Sequence, residues 1–241
     1  MSKEAIWYSY FGGRYPGNMP AFSDPAAYAW TIWAEENYER IRTDIETWLN
    51  AQGNSLKPYF HAGLVSRPDG WKVEPFYNWG VRNDAVCKAI PALDELFQRI
   101  EGLTSAALSK LEAGADIHPH YGDTNAILRC HFGLQVPGEL PDIGIEVNNK
   151  KREWHEGRWI MFCDAHKHRA WNHTSNDRYI LIVDILLPEY RDAKDEVCAN
   201  VRAMHAQQAL EQKYPVLKFL PGFIRERIRR KLKRKNSKSP L

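Results

Sequence analysis

From about residue 104 the apolar residues fall at every second position. The stretches "SAALSKL", "AILRCHFGLQV", "IGIEVN", "EWHEGRWIMF" and "RYILIVDILL" are the strand candidates, separated by Gly, Pro, Asn or Asp turns. Period two sends successive side chains to opposite faces of a sheet. Five strands at this spacing predict a sandwich, barrel or jelly roll. A chain of 241 residues, 44% hydrophobic and with nine tryptophans and eleven tyrosines, can bury a core of that size in one domain.

The rest of the chain reads as helices around that core. Residues 1–23 are rich in Tyr, Phe, Gly and Pro and read as an extended leading segment. Asp24-Pro25 is an N-cap and first-turn pair. Tyr38, Ile41, Ile45 and Trp48 follow at helical spacing, and Asn50 to Gly53 end the helix. Residues 54–82 read as irregular strands and turns. Asn83 or Asp84 starts a second helix, Pro91 breaks it, and Leu93, Leu96, Phe97 and Ile100 form the apolar face of the next. After Pro188, Val197, Val201 and Met204 share a helical face. The division is therefore a leading segment (1–23), a domain over 24–190 with its strand core at about 104–190, and C-terminal helices over 191–241.

No apolar run approaches the ~20 residues that cross a bilayer, and "MSKEAIWYSYFGG" lacks the apolar stretch of a signal peptide. A cytoplasmic protein is expected. Cys87, Cys130, Cys163 and Cys198 have no CxxC spacing and read as free thiols. The formal charge of +3 divides unevenly. Residues 213–241 hold eleven Lys/Arg and one acid, a net of +10, which leaves −7 on the remaining 212 residues. Nucleic-acid binding would rest on the tail alone, and the acidic body disfavours it.

Seven of the nine histidines fall between 118 and 173, and two groups stand out, "HPHYG" and "DAHKHRAWN". His120 and His168 lie 48 residues apart, on different strands whose ends can meet at one mouth of a barrel. Imidazole suits iron, zinc, copper and nickel. Non-heme iron oxygenases add a carboxylate two residues after the first histidine, and here that place is Gly122. Arg178 opens the apolar strand "RYILIVDILL". An arginine inside a barrel needs an anion, and a carboxylate is its best partner. A metal pair near a buried arginine is what 2-oxoglutarate requires.

The ordered set "LTSAALSKLEAGADIHPHYGDTN", "LRCHFGLQVP", "EGRWIMFCDAHKHRAWN" and "RYILIVDILLPE" resembles the aspartyl/asparaginyl β-hydroxylase family of Fe(II)- and 2-oxoglutarate-dependent dioxygenases. The resemblance runs from about residue 25 to 190. It implies a mainly β, double-stranded β-helix (jelly-roll, cupin-like) core with flanking N- and C-terminal helices. It implies Fe(II), 2-oxoglutarate and O2 as the reaction's needs, with His120 and His168 as iron ligands. Gly122 is similar to the glycine of the peptide-hydroxylating members. Asp164 matches an acid that hydrogen-bonds water on the iron. Ser109, Arg129, His131 and Arg178 match the residues around 2-oxoglutarate, and Lys72 matches a substrate-contacting arginine. His118, His166 and His173 match nothing functional.

The expected reaction is hydroxylation of an unactivated C–H, first of an aspartyl- or asparaginyl-like residue in a peptide or a related amino acid. Ile127 departs from that reading, because the family's peptide hydroxylases have a substrate-binding arginine there. A lipid or small-molecule hydroxylase, an iron halogenase using the space at Gly122, and a catalytically idle cupin-like binding module are the alternatives. In the tail, Phe223, Ile224, Ile228 and Leu232 lie near one helical face among basic residues. Residues 219–241 are thus a candidate for peripheral contact with an anionic membrane, against the alternative of a helix packing its stripe on the barrel.

Overall fold

The computed structural model describes residues 4–11 and 13–236. Residues 237–241, the end of the tail considered for membrane contact, and residues 1–3 and 12 of the leading segment lie outside them. The strands are β1 (Phe22–Ser23), β2 (Lys57–Pro58), β3 (Trp71–Asn78), β4 (Val81–Arg82), β5 (Leu103–Leu111), β6 (Ala115–His120), β7 (Ile127–Gln135), β8 (Ile143–Val147), β9 (Lys150–Arg152), β10 (Trp159–Phe162), β11 (His168–Asn172) and β12 (Arg178–Leu186). The larger sheet has the order β1-β10-β7-β12-β5-β3-β2, with β4 on β3. The smaller has the order β6-β11-β8-β9. The named ladders are antiparallel, as a jelly roll requires.

The two sheets enclose one apolar layer. Leu111, Phe162 and Ile180 reach it from the larger sheet, and Ile117, Ile145, Val147 and Ala170 from the smaller. The outer face of the larger sheet carries Leu108, Cys130, Phe132, Leu181 and Val183. Helices α1 (Ala29–Glu36), α2 (Tyr38–Ala51), α3 (Asp84–Ala89) and α4 (Pro91–Arg99) cover that face. Asn83 caps α3 by accepting from the Val86 amide, and Pro91 opens α4 as the sequence predicts. Helix α5 (Lys194–Lys213) buries Val197, Val201 and Met204, and α6 (Gly222–Asn236) packs along it. The four cysteines are free and buried.

Three differences from the sequence reading matter. First, β3 is an eight-residue strand, with one register shift between Pro75 and Tyr77, inside the stretch read as irregular. Second, β6 and β11, the strands that carry His120 and His168, lie outside the five candidates. Third, only Trp159–Phe162 of "EWHEGRWIMF" is a strand. Glu156 turns back instead, through the positive φ of Gly157, where any Cβ would crowd the ring of Tyr38.

Candidate active site

His120 and His168 are register partners across β6 and β11. Their ring centroids lie 4.2 Å apart. His120 Nδ1 is 2.8 Å from the carbonyl of His118, and His168 Nδ1 is 2.9 Å from that of His166. A carbonyl only accepts, so both Nδ1 atoms carry protons and both Nε2 atoms present lone pairs. This is the arrangement that outer partners impose on metal-binding histidines. Burial, then the neighbouring His168, pushes the His120 pKa down to about 3. Burial takes His168 down to about 4. Both imidazoles are neutral at pH 7 and free to ligate. His118 and His166, without a role in the sequence reading, therefore act through their backbone; His173 is exposed and pairs with Asp116 at 2.9 Å.

Asp164 lies beside this pair, with Oδ1 3.6 Å from His168 Nε2. It is fully buried, and the Asp123 amide donates to its Oδ2. A Cβ at Gly122 would lie 1.6 Å from Oδ2 of Asp164 and 2.0 Å from its Cγ. The Asp164 carboxylate therefore fills the space that an aspartate two residues after the first histidine would need. Gly122→Ala is expected to cost ~1–3 kcal/mol through overpacking, read from urea unfolding. A loss under about 0.5 kcal/mol, inside the usual scatter of harmless substitutions, would mean that the carboxylate swings aside freely.

Arg129 holds this carboxylate in place. Its Nη1 is 2.6 Å from Asp164 Oδ1, while Nε and Nη2 form a fork on Asp184 at 2.7 and 2.8 Å. Burial opposes the guanidinium charge, but the two carboxylates outweigh it and hold its pKa well above the usual value. Burial raises Asp164 and Asp184. With all three ionised the group carries one net negative charge, which a divalent cation at His120 and His168 would offset. Among the described residues no three His, Cys, Asp or Glu side chains already stand in metal-binding geometry. The donor set is two imidazoles with an adjacent carboxylate, which fits Fe(II) with positions left for other ligands.

Asp184 was missed in the sequence, though an acid inside "ILIVDILL" is itself a signal that a buried cation waits opposite. Asp123 and His205 were missed as well. His205, on α5, places Nε2 3.0 Å from Asp123 Oδ2, next to Gly122. No local pattern marks His205, because α5 is brought to the site only by the tertiary fold.

On β12, Arg178, Ile180, Ile182 and Asp184 share the face that looks between the sheets. Arg178 is 1% exposed. Among the described residues its guanidinium makes one hydrogen bond, from Nη2 to Ser109 Oγ at 3.3 Å, and it lies 4.6 Å from the ring centre of Trp154. Among the described residues no carboxylate pairs with it. Burial alone drives its pKa down to about 9. Its Nε is buried without a partner, and so is Nε2 of His131. Trp154 Nε1 donates to His131 Nδ1 at 3.3 Å. Nδ1 is thus the acceptor in a neutral imidazole, and Nε2–H is an unused donor. Ser109 Oγ accepts from Trp71 as well as Arg178, which leaves its own proton to give. Three donors therefore await an acceptor. Phe162 bridges this wall to the histidine pair, 4.9 Å from His131 and 5.5 Å from His168 between ring centres.

Lys72 is not brought to this cluster. It alternates with Trp71 and Val73, which face the inner layer, and so it projects from the other side of β3. Glu112 holds its ammonium at 2.7 Å. Ile127 is fully buried with Tyr8, Trp79 and Leu186. Beside His168, a cavity of about 380 Å³ opens to solvent between Arg14, Tyr15, Tyr121, Asn148 and His166.

Residues 35–188 match the sequence profile of the aspartyl/asparaginyl β-hydroxylase family. The chain is similar to an ornithine lipid ester-linked acyl 2-hydroxylase of Rhizobium tropici, 36% identical over 177 residues that span 71% of this chain and 62% of that one. An aspartyl/asparaginyl β-hydroxylase of Mus musculus is 35% identical over 124 residues, 49% of this chain and 16% of that one. Aspartate β-hydroxylase domain-containing protein 2 of Xenopus tropicalis is 28% identical over 77% of this chain and 52% of that one. The chain spans less than two thirds of the length of each of these relatives. Among solved structures, a Pseudomonas putida prolyl-4-hydroxylase aligns with a TM-score of 0.43 at 14% identity, covering 62% of this chain and 86% of that one.

Proposed function

Since the chain belongs to the aspartyl/asparaginyl β-hydroxylase family, we propose that it is an Fe(II)- and 2-oxoglutarate-dependent dioxygenase that hydroxylates a methylene next to a carbonyl carbon. The observation that carries this reading is Arg178, a buried cation without an anion, beside two further unused donors. A buried charge left unpaired is costly, so the site is built for a carboxylate that arrives from outside. Arg178, Ser109 and His131 would hold the far carboxylate of 2-oxoglutarate. His120 and His168 would hold Fe(II) through Nε2.

Fe(II) held there would supply the oxidising chemistry by which 2-oxoglutarate, dioxygen and the substrate C–H give succinate, carbon dioxide and the alcohol, one oxygen atom going to succinate and one to the product. The chain's own residues bind, orient and exclude water. Arg129 fixes the Asp164 carboxylate against the metal side of His168, where it can accept a hydrogen bond from a ligand on the iron. That negative charge also disfavours a halide there.

The substrate class follows from chemistry that the relatives' names share. The β carbon of an aspartyl residue is bonded to the side-chain carboxyl carbon, and carbon 2 of an acyl chain is bonded to the ester carbonyl carbon. Both are methylenes activated alike by position. Ile127, buried with Tyr8, Trp79 and Leu186, stands where the resemblance expects an arginine for an acidic side chain, so that position offers no cation. This supports an acyl chain over a peptidyl aspartate. The test is succinate release from iron-loaded protein with acyl-ester amphiphiles, aspartyl peptides and free amino acids. Stimulation by an acyl ester alone is the expected result. Stimulation by a peptide would overturn the substrate class and keep the reaction, and a protein that neither binds nor turns over 2-oxoglutarate would overturn both.

A further inference from the structure

The basic tail takes a shape in the structure that its sequence periodicity did not foretell. Ile224, Ile228 and Leu232 are half-buried in the packing of α6 on α5. Arg225 reaches across to Glu211 at 2.9 Å, and the Arg229 guanidinium lies 3.6 Å from the ring centre of Tyr10. Phe223, expected on the same stripe, leaves it and is 76% exposed. It stands instead with Arg227, Arg230 and Arg234, at i, i+4, i+7 and i+11 along the outer face, all exposed. Lys231 and Lys235 flank this row and are exposed too. The short turn Pro215–Phe219 adds Val216 and Phe219, 69% and 85% exposed. Six large apolar side chains are exposed among the described residues, and four of them fall within the ten positions 214–223.

We propose that residues 214–235 form a docking surface for an anionic phospholipid bilayer. Val216, Phe219 and Phe223 enter the interfacial layer, and the outer row of α6 meets the headgroups. Charge complementarity selects this partner. The net +10 of residues 213–241 faces a net −7 elsewhere, so an anionic plane attracts one end of the molecule and repels the rest. A nucleic-acid backbone would satisfy the cations but leave Val216, Phe219 and Phe223 in water, whereas an amphipathic interfacial helix uses both features. The surface is tied to the site through α5, whose His205 holds Asp123 beside Gly122.

The proposal stands apart from the hydroxylation reading, because it is read without turnover. The full chain is sedimented with vesicles of phosphatidylcholine alone or mixed with phosphatidylglycerol. Binding to the anionic vesicles at low salt is expected, with release as added salt shortens the Debye length from ~10 Å at 0.1 M to ~3 Å at 1 M. Phe219→Ser with Phe223→Ser, and separately Arg227→Glu with Lys231→Glu and Lys235→Glu, should each lower partitioning at least tenfold. All these positions are exposed, so an unchanged melting temperature is expected and keeps the comparison valid. Equal binding to both vesicle types, or no binding, would overturn the proposal. So would an unaffected phenylalanine variant beside a dead charge variant, which would mark a general polyanion surface such as nucleic acid uses.

Discussion

Arg178→Met is expected to raise the 2-oxoglutarate concentration for half-maximal turnover sharply while metal binding stays nearly intact. Loss of one partner of a desolvated, hydrogen-bonded charge pair costs ~2–5 kcal/mol, which is roughly 30- to several-thousand-fold in affinity. Methionine keeps most of the volume and removes the charge. That choice gives the experiment a second reading. In the protein without cosubstrate, Arg178 is a 1% exposed cation with no carboxylate among the described residues. Replacing such a charge by an apolar side chain of similar size is commonly neutral or stabilising. The variant should therefore unfold at the same or a higher temperature than the parent when 2-oxoglutarate is absent, and gain less from adding it. A structural arginine would behave the other way, with lower stability and unchanged affinity. An affinity change below about threefold would mean that another residue anchors the cosubstrate.

The contrast between Arg178 and Arg129 shows where sequence reading reaches its limit. Both are basic residues on apolar strands, and the resemblance assigns both to 2-oxoglutarate. Only tertiary structure distinguishes them: Arg129 meets Asp184 and Asp164, whereas Arg178 meets a hydroxyl and an indole face. The strands β5, β7, β8 and β12 were legible because each buries a whole face, so alternation is written along it. The histidine-bearing strands β6 and β11 were not. Apart from Ile117, the inward positions of "ADIHPH" and "HRAWN" carry imidazole, alanine or asparagine in place of large apolar groups, because a site occupies that space. The element that builds the site is thus the one whose hydrophobic pattern the site erases. Lys72 stands apart from the cluster for a simpler reason. A motif match fixes a position on a strand, and a strand has two faces; the register of β3 on β5 sends Lys72 to the outer one. In the tail, helical periodicity identified Ile224, Ile228 and Leu232 correctly as one stripe. It could not show that α5 would cover that stripe and leave Phe223 with the arginines.

His120→Ala and His168→Ala are each expected to abolish Fe(II) loading, and with it the absorption band that forms when 2-oxoglutarate joins bound Fe(II) under anaerobic conditions. The scale follows from what the protein already does for the two rings. Removing an outer partner of a metal ligand costs ~10–100-fold in metal affinity, so removing the ligand itself from a set of only two imidazoles should exceed ~100-fold. The geometry leaves little to compensate. Both Nδ1 atoms are committed to carbonyls, both rings are neutral at pH 7, and among the described residues no third ligand is in place beside them; His166 spends its Nε2 on the Met19 carbonyl at 2.7 Å. Asp164→Asn supplies the graded control. It keeps the shape at Gly122 and the contact with Arg129 but removes the charge, so its effect should fall in the ~10–100-fold range of an outer partner. Circular dichroism should show the fold of all three variants retained, because the apolar layer between the sheets is untouched. If the band survives in both histidine variants, the metal lies elsewhere. If Asp164→Asn abolishes it as completely as the histidine changes do, the carboxylate that occupies the place of a side chain at 122 is itself a ligand, and the pair becomes a triad assembled from β6, the turn before β11, and β11.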